Sequence, residues 1–356
     1  MNLEEILLMT GKFSKNIILS MAQGFANTYL LYTACELDLF DIIGEAKEKI
    51  SVQEIAEKAE VDPDIIARLM QPLVIYGFLQ EKNGMYSLTE AGILLSDKGE
   101  DSLKGFVLYC GGICARSWGV MPEAARQRKI PYSLAVGEGL FKSNENDNKH
   151  YYAFDAMMNY TSRNLLLDDS VKRYTGENIR KIADIGGGSG AVLIQFLKLY
   201  PQAVGSILDL DFVEKRAKAN IKENDMSERA EFVRGDFFKP YDITADIFIL
   251  SRILHDWTDE NVIKILKNIR KNMHGRETIL VIEQLLPEVP ERESLNVYMN
   301  DLQMWAVCGG KERTLSEYKA LFCEAKLELR NTYKLKSGEY ILEVRLPSIT
   351  SDYGEI

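Results

Sequence analysis

Apolar positions in the first hundred residues follow helical spacing, interrupted by one pair of strands. Between Ile18 and Tyr32 an apolar residue recurs every three or four positions, which predicts a helix over residues 15–34 with one apolar face. A capping box at Ser51 and an Asp62-Pro63 start signal predict two further helices. The Asn83-Gly84 pair between two short apolar runs predicts a hairpin with a type I′ turn. This order of elements indicates a winged-helix region over residues 1–100.

The apolar pattern changes near residue 179, where short apolar runs begin to alternate with amphipathic helical stretches. Near-continuous apolar runs are typical of parallel strands covered on both faces, and their alternation with helices predicts a doubly wound α/β domain over residues 176–350. Two last runs, joined by Ser337-Gly338, predict an antiparallel hairpin at the end of the sheet. Residues 101–175 are helical in pattern and rich in large side chains, and we expect them to connect the two domains and to contribute to a substrate pocket.

The charge balance decides whether the winged-helix region can read DNA. The chain has 356 residues and a net charge of −10, and residues 1–100 alone carry 16 Asp and Glu against 8 Lys and Arg. Nucleic-acid affinity depends mainly on neutralising phosphates, and the helix that begins at Asp62 offers only Arg68. We therefore expect no nucleic-acid partner. A winged-helix regulator that senses a small ligand is kept as an alternative from another functional class.

Composition and cysteine usage indicate the compartment. The 46% hydrophobic and 27% charged residues are ordinary for a globular protein, and no apolar run reaches the ~18 residues of a membrane-spanning helix. The N-terminal sequence MNLEEILLMT lacks the pattern of a signal peptide. Five scattered cysteines indicate reduced thiols rather than a disulfide framework. We expect a cytoplasmic protein with no membrane partner.

A glycine-rich turn marks the candidate ligand site. The first strand of the α/β domain runs through Asp184 into Gly186-Gly187-Gly188, and such glycines let a ligand approach the backbone where a strand turns into a helix. Asp209 ends the next strand, where an acid can accept hydrogen bonds from ribose hydroxyls. Asp184 would repel a pyrophosphate but can engage a cationic amino group. S-adenosylmethionine, which has an ammonium group and a ribose but no phosphate, fits this charge pattern better than a dinucleotide.

Further motifs carry a resemblance to a known family. They are Gly235-Asp236-Phe237-Phe238, the run from Leu254 to Glu260, Ile282-Glu283, and the run from Gly310 to Thr314. With the glycine-rich turn they resemble, over nearly the whole chain, the S-adenosylmethionine-dependent O-methyltransferases of the plant caffeic acid type and their bacterial relatives in secondary metabolism. The resemblance implies a Rossmann-like methyltransferase domain, S-adenosylmethionine as methyl donor with S-adenosylhomocysteine as product, and no metal. It also implies that the winged-helix region is a dimerisation domain and that the protein is a homodimer.

The resemblance also implies which residues bind the cofactor. Asp184, Gly186 and Gly188 would hold its methionine end, Asp209 its ribose, and Asp236 with Phe237 its adenine. The neighbouring residues Leu210, Gly235, Ser251 and Arg252 complete the predicted cofactor-binding set.

The same resemblance implies that His255 is the general base, flanked by Glu283 and Glu312. A phenol is a poor nucleophile until it loses its proton, and a carboxylate beside an imidazole stabilises the imidazolium that results. The sequence leaves open which glutamate orients the base. The predicted acceptor-binding residues combine large and acidic side chains: Trp118, Phe154, Met157, Met158, Asp256, Asp301, Met304 and Trp305.

Large flexible and aromatic side chains suit a flat ligand, so the expected acceptor is a planar phenolic metabolite such as a polyketide or anthraquinone, a phenazine or a flavonoid-like compound. The compound and the position methylated are left open. Two positions depart from the family pattern: Leu210-Asp211 replaces a usual Leu-Pro, and Ala325-Lys326-Leu327 replaces Ala-Gly-Phe. Methylation of carbon or nitrogen, or use of the cofactor without methylation, stays an alternative because fold does not fix function.

Overall fold

The computed structural model describes residues 15–46, 48–98, 101–146, 148–165, 167, 171–176 and 178–348, which form two compact units. The first unit contains the described residues up to Arg116 together with Tyr152–Tyr160, and the second contains Ser117–Tyr151 and the described residues from Thr161 onward. The segment 101–175, expected as one connector, is therefore divided between the units. One reason is close packing within the first unit, where a Cβ placed on Gly105 would lie 2.1 Å from the Ala156 Cβ.

The first unit is built mainly of helices around a small sheet. Its core contains Leu39, Phe40, Ile55, Ile66 and Met70, all fully or almost fully buried. The sheet is antiparallel with strand order β1-β3-β2. In chain order the elements are α1 (Lys15–Glu36), α2 (Leu39–Glu45), β1 (Ile50–Ser51), α3 (Val52–Ala59), α4 (Pro63–Ile75), β2 (Leu79–Lys82), β3 (Met85–Leu88), α5 (Glu90–Ile93), α6 (Lys104–Tyr109) and a π-helical turn (Cys110–Cys114).

Local signals in the sequence explain where these elements begin and turn. The Ser51 side chain accepts from the Glu54 backbone and Glu54 returns the contact, which forms the predicted capping box of α3. Asp62 caps α4 by accepting a 2.8 Å hydrogen bond from the Asp64 backbone, and Pro63 lies in the first turn of this helix. Asn83 and Gly84 both have positive φ, at 57° and 75°, as a type I′ hairpin turn requires. The predicted helices and hairpin of this region are confirmed.

A buried lysine joins three segments of the first unit. Lys104 is 4% exposed, and its Nζ lies 2.7 Å from Asp38 Oδ1, 2.7 Å from Asp41 Oδ2 and 2.8 Å from Asp97 Oδ2. Asp97 Oδ1 also accepts a 2.6 Å hydrogen bond from the Tyr152 hydroxyl. The hydrogen bonds that Lys104 donates to these carboxylates outweigh its burial and raise its pKa, so the lysine stays charged inside the unit.

The second unit contains a seven-stranded sheet with helices. In chain order its elements are α7 (Ala115–Gly119, which starts in the first unit), α8 (Met121–Gln127), α9 (Pro131–Val136), α10 (Leu140–Asn146), α11 (Asn148–Arg163, whose middle belongs to the first unit), α12 (Lys172–Thr175), β4 (Lys181–Ile185), α13 (Ala191–Leu199), β5 (Val204–Asp209), α14 (Glu214–Glu223), β6 (Ala230–Arg234), β7 (Ile247–Ser251), α15 (Asp259–Arg270), β8 (Thr278–Glu283), β9 (Leu285–Leu286), α16 (Leu295–Val307), β10 (Arg313–Thr314), α17 (Leu315–Glu324), β11 (Glu328–Lys334) and β12 (Tyr340–Arg345).

The strand order of the large sheet is β11-β12-β8-β7-β4-β5-β6. Strands β4 to β8 pair in parallel, whereas β12 is antiparallel to both of its neighbours. The α/β class and the terminal hairpin at the sheet edge are thus as predicted. Because the carboxyl ends of the parallel strands lie along one edge, the residues that follow them are brought together there.

Alternation along the central strands gives the sheet two apolar faces. Ala183, Phe248 and Ile279 belong to one buried cluster, whereas their neighbours Ile182 and Ile247 belong to another. Successive side chains of a strand point to opposite faces, so both faces are covered by apolar packing. Among the residues that the structure describes, no helix has the length and apolar character needed to cross a bilayer.

Candidate active site

The turn after β4 surrounds a buried carboxylate. Asp184 is 1% exposed, and its Oδ2 accepts a 3.3 Å hydrogen bond from the backbone of Leu193 in the first turn of α13. A Cβ on Gly187 would lie 2.6 Å from this carboxylate, so only glycine fits there. A Cβ on Gly188 would meet nothing within 4 Å, which leaves open space beside the turn. Burial raises the pKa of Asp184 to about 7, so a cation bound beside it would favour its charged form.

Asp209 is the last residue of β5, the neighbour of β4, and it stabilises the same turn. Its Oδ2 accepts a 2.8 Å hydrogen bond from the backbone of Gly188, and its Oδ1 accepts a 2.7 Å bond from that of Leu210. Its carbonyl accepts from the backbone of Gly235 at 2.9 Å. Asp184, Gly186, Gly188, Asp209, Leu210 and Gly235 therefore belong to one connected group of strand ends, as expected from the sequence spacing.

Asp236 and Phe237 follow β6 and differ in what their side chains contact. Asp236 Oδ1 accepts a 2.9 Å bond from the Phe238 backbone, and its Oδ2 lies 3.3 Å from Lys239 Nζ. The Phe237 ring packs edge-on against Trp257, with 6.0 Å between ring centres, and it borders Gly186. Phe237 thus supplies an apolar surface beside the glycine-rich turn.

Ser251 and Arg252 close β7. Within the described part of the chain the buried Ser251 hydroxyl has no hydrogen-bond partner. Arg252 has a φ of 53°, a conformation that costs energy for a side chain other than glycine and that occurs at functional sites. Its Nη2 donates to Ser162 Oγ at 2.8 Å and its Nη1 lies 3.7 Å from Glu339 Oε1. Burial lowers the pKa of Arg252, and Glu339 opposes this change.

His255 lies in a short 3₁₀ turn (Leu254–Asp256) after β7, with 7% of its surface exposed. Its Nδ1 is 2.8 Å from Glu312 Oε1 and 3.5 Å from Glu283 Oε2, whereas its Nε2 is 3.7 Å from Asp256 Oδ1. Glu283 Oε1 accepts bonds of 3.1 and 2.8 Å from the backbones of Ile253 and Leu254. Glu283 thus holds the turn, and Glu312 makes the hydrogen bond that orients the ring.

The charges around His255 set its proton affinity. Burial alone would lower the pKa of the imidazole, but Glu283, Glu312 and Asp256 outweigh burial and raise this pKa to about 10. Burial raises the pKa of Glu283, against the effect of His255. The imidazole is therefore a stronger base than an ordinary histidine.

Arg313 stabilises the main chain of the turn that contains His255. It is fully buried, and its guanidinium donates to the carbonyl groups of Leu254 at 2.9 Å and Trp257 at 2.7 Å. Asp259 Oδ1 accepts two more bonds from it, at 2.9 and 2.8 Å. A Cβ on Gly310 would lie 1.9 Å from the His255 carbonyl oxygen, so this segment also needs glycine. Arg313 lies within a motif that the sequence analysis quoted, but its role was missed.

The predicted acceptor-binding residues fall in both units. Phe154, Met157 and Met158 are half-buried residues on the part of α11 that belongs to the first unit. In the second unit Trp118 Nε1 donates a 2.6 Å bond to Gln303 Oε1 of α16. The same helix carries Asp301, Met304 and Trp305. Asp301 Oδ1 accepts a 2.9 Å bond from the backbone of Glu312, the residue that contacts His255.

The residues around His255 can also be compared with metal ligands. One ligand atom from each of His255, Glu283 and Glu312 can be chosen so that the three lie within 4.8 Å of one another. These three residues could hold a metal ion, although the Nδ1 atom already makes its hydrogen bond to Glu312. The hydrogen-bond donors of S-adenosylmethionine fit the acids at the ends of β4 and β5. Its ammonium and ribose hydroxyls match the buried Asp184 and the half-buried Asp209 beside the open space at Gly188.

Comparison with known proteins identifies the family. Residues 118–327 match the O-methyltransferase domain, and residues 19–97 match the O-methyltransferase dimerisation domain. A myricetin 3′-O-methyltransferase of Solanum lycopersicum is 31% identical over 346 residues, 91% of each chain. The phenazine O-methyltransferase PhzM of Lysobacter antibioticus is 28% identical over 335 residues, 93% of this chain and 96% of the relative. The structure of human N-acetylserotonin methyltransferase in complex with S-adenosylmethionine has a TM-score of 0.80 at 26% identity and covers 95% of this chain and 99% of that one.

The fold and these matches define an S-adenosylmethionine-dependent methyltransferase. The chain belongs to the O-methyltransferase family and carries the dimerisation domain of that family.

Proposed function

We propose that the protein methylates a hydroxyl group of a planar phenolic metabolite and that His255 is the general base. The observation that carries this proposal is the 2.8 Å contact between His255 Nδ1 and Glu312, in the turn that follows β7, the strand that neighbours β4 and its glycine-rich turn. Glu312 accepts a hydrogen bond from Nδ1–H and so leaves Nε2 to face the acceptor. Relatives that are named for phenazine and myricetin methylation support an aromatic acceptor.

The reaction needs a proton acceptor and a fixed geometry. When bound, S-adenosylmethionine supplies an electrophilic methyl group, which leaves its sulfur as the new oxygen–carbon bond forms. We assign Asp184, Gly186 and Gly188 to its methionine end, Asp209 to its ribose, and Asp236 and Phe237 to its adenine. Nε2 of His255 takes the phenolic proton before or as this bond forms, so that the phenol oxygen attacks as the nucleophile. Proton transfer from a phenol with a pKa of ~10 to an ordinary histidine with a pKa of ~6.5 is uphill by ~3.5 pKa units, or roughly 5 kcal/mol. The carboxylates around His255 remove most of this difference, since they raise its pKa to about 10.

Replacement of the base tests the assignment. His255→Ala should lose most activity, since a positioned base contributes about 10² to 10⁴ in rate, while binding of S-adenosylmethionine, followed by calorimetry, should persist. His274→Ala, at the only other histidine whose side chain is described, is the matched control. Mass spectrometry of flavonoid, anthraquinone and phenazine phenols would detect the added methyl group. A methyl group on carbon or nitrogen, or full turnover by His255→Ala, would contradict the proposal.

We further propose that the protein is a homodimer that uses the apolar face of α1. Ile18, Met21, Phe25 and Tyr29 lie on one stripe of this helix and are 60, 57, 65 and 45% exposed. A contiguous apolar stripe of this kind favours a protein partner, and the match to the dimerisation domain supports a second copy of the chain.

Light scattering with size exclusion tests the dimer. Phe25→Glu places a charge in the stripe and should shift the mass from dimer toward monomer. Val289→Glu changes another exposed apolar residue, 70% exposed in the second unit, and should leave the mass unchanged. A monomeric parent protein, or a dimer that tolerates Phe25→Glu at micromolar concentration, would contradict this proposal.

A further inference from the structure

Asn300 occupies a position that the sequence analysis did not identify. It lies in α16, and its Nδ2 donates a 2.6 Å hydrogen bond to Glu312 Oε1. The same oxygen atom lies 2.8 Å from His255 Nδ1. The next residue, Asp301, accepts a 2.9 Å bond from the Glu312 backbone. Two consecutive residues of one helix therefore fix both the main chain and the carboxylate of Glu312.

The chemistry of the groups assigns the direction of these bonds. A carboxylate oxygen has lone pairs for two donors, so Asn300 and His255 can bind the same atom at once. The asparagine must present its NH₂ group, because its carbonyl oxygen would repel the carboxylate. Glu312 is itself 1% exposed, and its other oxygen has no hydrogen-bond partner among the described residues. Asn300 is thus the one described side chain other than His255 that donates to this carboxylate.

We propose that Asn300 is a positioning residue for the base, which holds Glu312 Oε1 against Nδ1 of His255 and so keeps Nε2 directed to the acceptor. The inference rests on the proposed role of His255. Without the amide, the Glu312 carboxylate can rotate about its last bond and the imidazole loses its fixed partner. The helix that carries the proposed acceptor-binding residues Met304 and Trp305 would then also set the geometry of proton transfer.

The geometry of the base can be measured without turnover. The chain has only three histidines, so in protein labelled with ¹⁵N-histidine the signals of His255 can be assigned from those that disappear in His255→Gln. The Nδ1 proton, buried and bonded to Glu312, should give a slowly exchanging downfield resonance. Asn300→Leu keeps the side-chain volume but removes the donor, and the resonance should broaden or disappear.

Asn331→Leu is the matched control. Asn331 Nδ2 donates a 2.7 Å bond to the buried Glu343 between β11 and β12, so this variant removes the same kind of bond outside the site. It should leave the His255 resonance and the rate unchanged. Asn300→Ala, which suits a helix, replaces Asn300→Leu if the larger side chain prevents folding.

Kinetics give the second measurement. Because hydrogen bonds to charged groups are stronger than those between neutral groups, loss of the Asn300 bond to Glu312 should lower kcat roughly ten- to a hundredfold. The KM for S-adenosylmethionine should stay within about twofold of the parent value. An unchanged Nδ1 resonance in both Asn300 variants would overturn the inference, and so would an unchanged kcat. Failure of the parent protein to methylate any phenol would instead overturn the proposed acceptor class, because the resonance is observed without an acceptor.

Discussion

The Glu312→Gln substitution tests how far one carboxylate sets the strength of the base. The variant keeps the side-chain shape but removes a negative charge whose oxygen lies 2.8 Å from His255 Nδ1. For charge centres ~4 Å apart at an effective dielectric constant of ~20, the interaction is about 4 kcal/mol, which corresponds to about three pKa units. The pKa of His255, raised to about 10 in the parent protein, should therefore fall toward an ordinary value.

The consequence for catalysis follows from the proton balance. Proton transfer from a phenol with a pKa of ~10 to His255 is nearly balanced in the parent protein and becomes uphill by about 4 kcal/mol in the variant. If the proton is half transferred in the transition state, about 2 kcal/mol of this appears in the barrier, or roughly a thirtyfold lower plateau rate.

The assay is kcat/KM as a function of pH. The base must be neutral to accept a proton, and a raised pKa means that this form accumulates only as pH rises through the raised value. The parent activity should therefore rise across the alkaline range, whereas Glu312→Gln should reach its lower plateau at a more acid pH. Glu324→Gln removes the charge of an exposed acid in α17 and should give the same pH profile as the parent protein. Superimposable profiles for Glu312→Gln and the parent, or a larger shift in Glu283→Gln, would refute the assignment of Glu312.

Two further predictions concern the cofactor turn and the first unit. Gly187→Ala places a methyl group 2.6 Å from the Asp184 carboxylate and should weaken S-adenosylmethionine binding at least tenfold by calorimetry. A methyl group on Gly139 would meet nothing within 4 Å, so Gly139→Ala should bind like the parent protein. Equal affinities of the two variants would contradict the packing argument. Lys104→Met leaves three carboxylates without their cation and should lower the free energy of unfolding by about 2–4 kcal/mol in denaturant titrations. This loss is smaller than the loss expected for a fully buried ion pair, because Asp38 and Asp97 are half exposed. Lys98→Met removes only an exposed ion pair and should change stability by less than about 1 kcal/mol, and an equal loss in both variants would be inconsistent with a special role for Lys104.

Much of the fold could be predicted because its signals are local. The capping box at Ser51 and the Asn83-Gly84 turn depend on residues within four positions of one another. The apolar runs identify the strands for the same reason. The division of residues 101–175 could not be predicted, since it depends on contacts such as that between Gly105 and Ala156, which are 51 positions apart.

The candidate site shows the same contrast. Asp184 and Asp209 could be predicted because parallel strand ends meet at one edge, so spacing along the chain determines their place. The choice between Glu283 and Glu312 needed distances, because both acids are close to Nδ1. Asn300 belongs to no motif. It reaches Glu312 only because α16 packs against the segment before β10, which sequence periodicity does not reveal.

The Arg313 contacts have a consequence for directed evolution. The guanidinium holds carbonyl groups on both sides of His255, so the main chain at His255 depends on Arg313, Asp259 and Glu283 rather than on the side chains proposed to face the acceptor. Residues proposed to line the acceptor, such as Met304 and Trp305, can therefore be randomised in a library without removing this support. Arg313 and Asp259 should be left unchanged in such a library, since variants there would lose the base together with the old specificity.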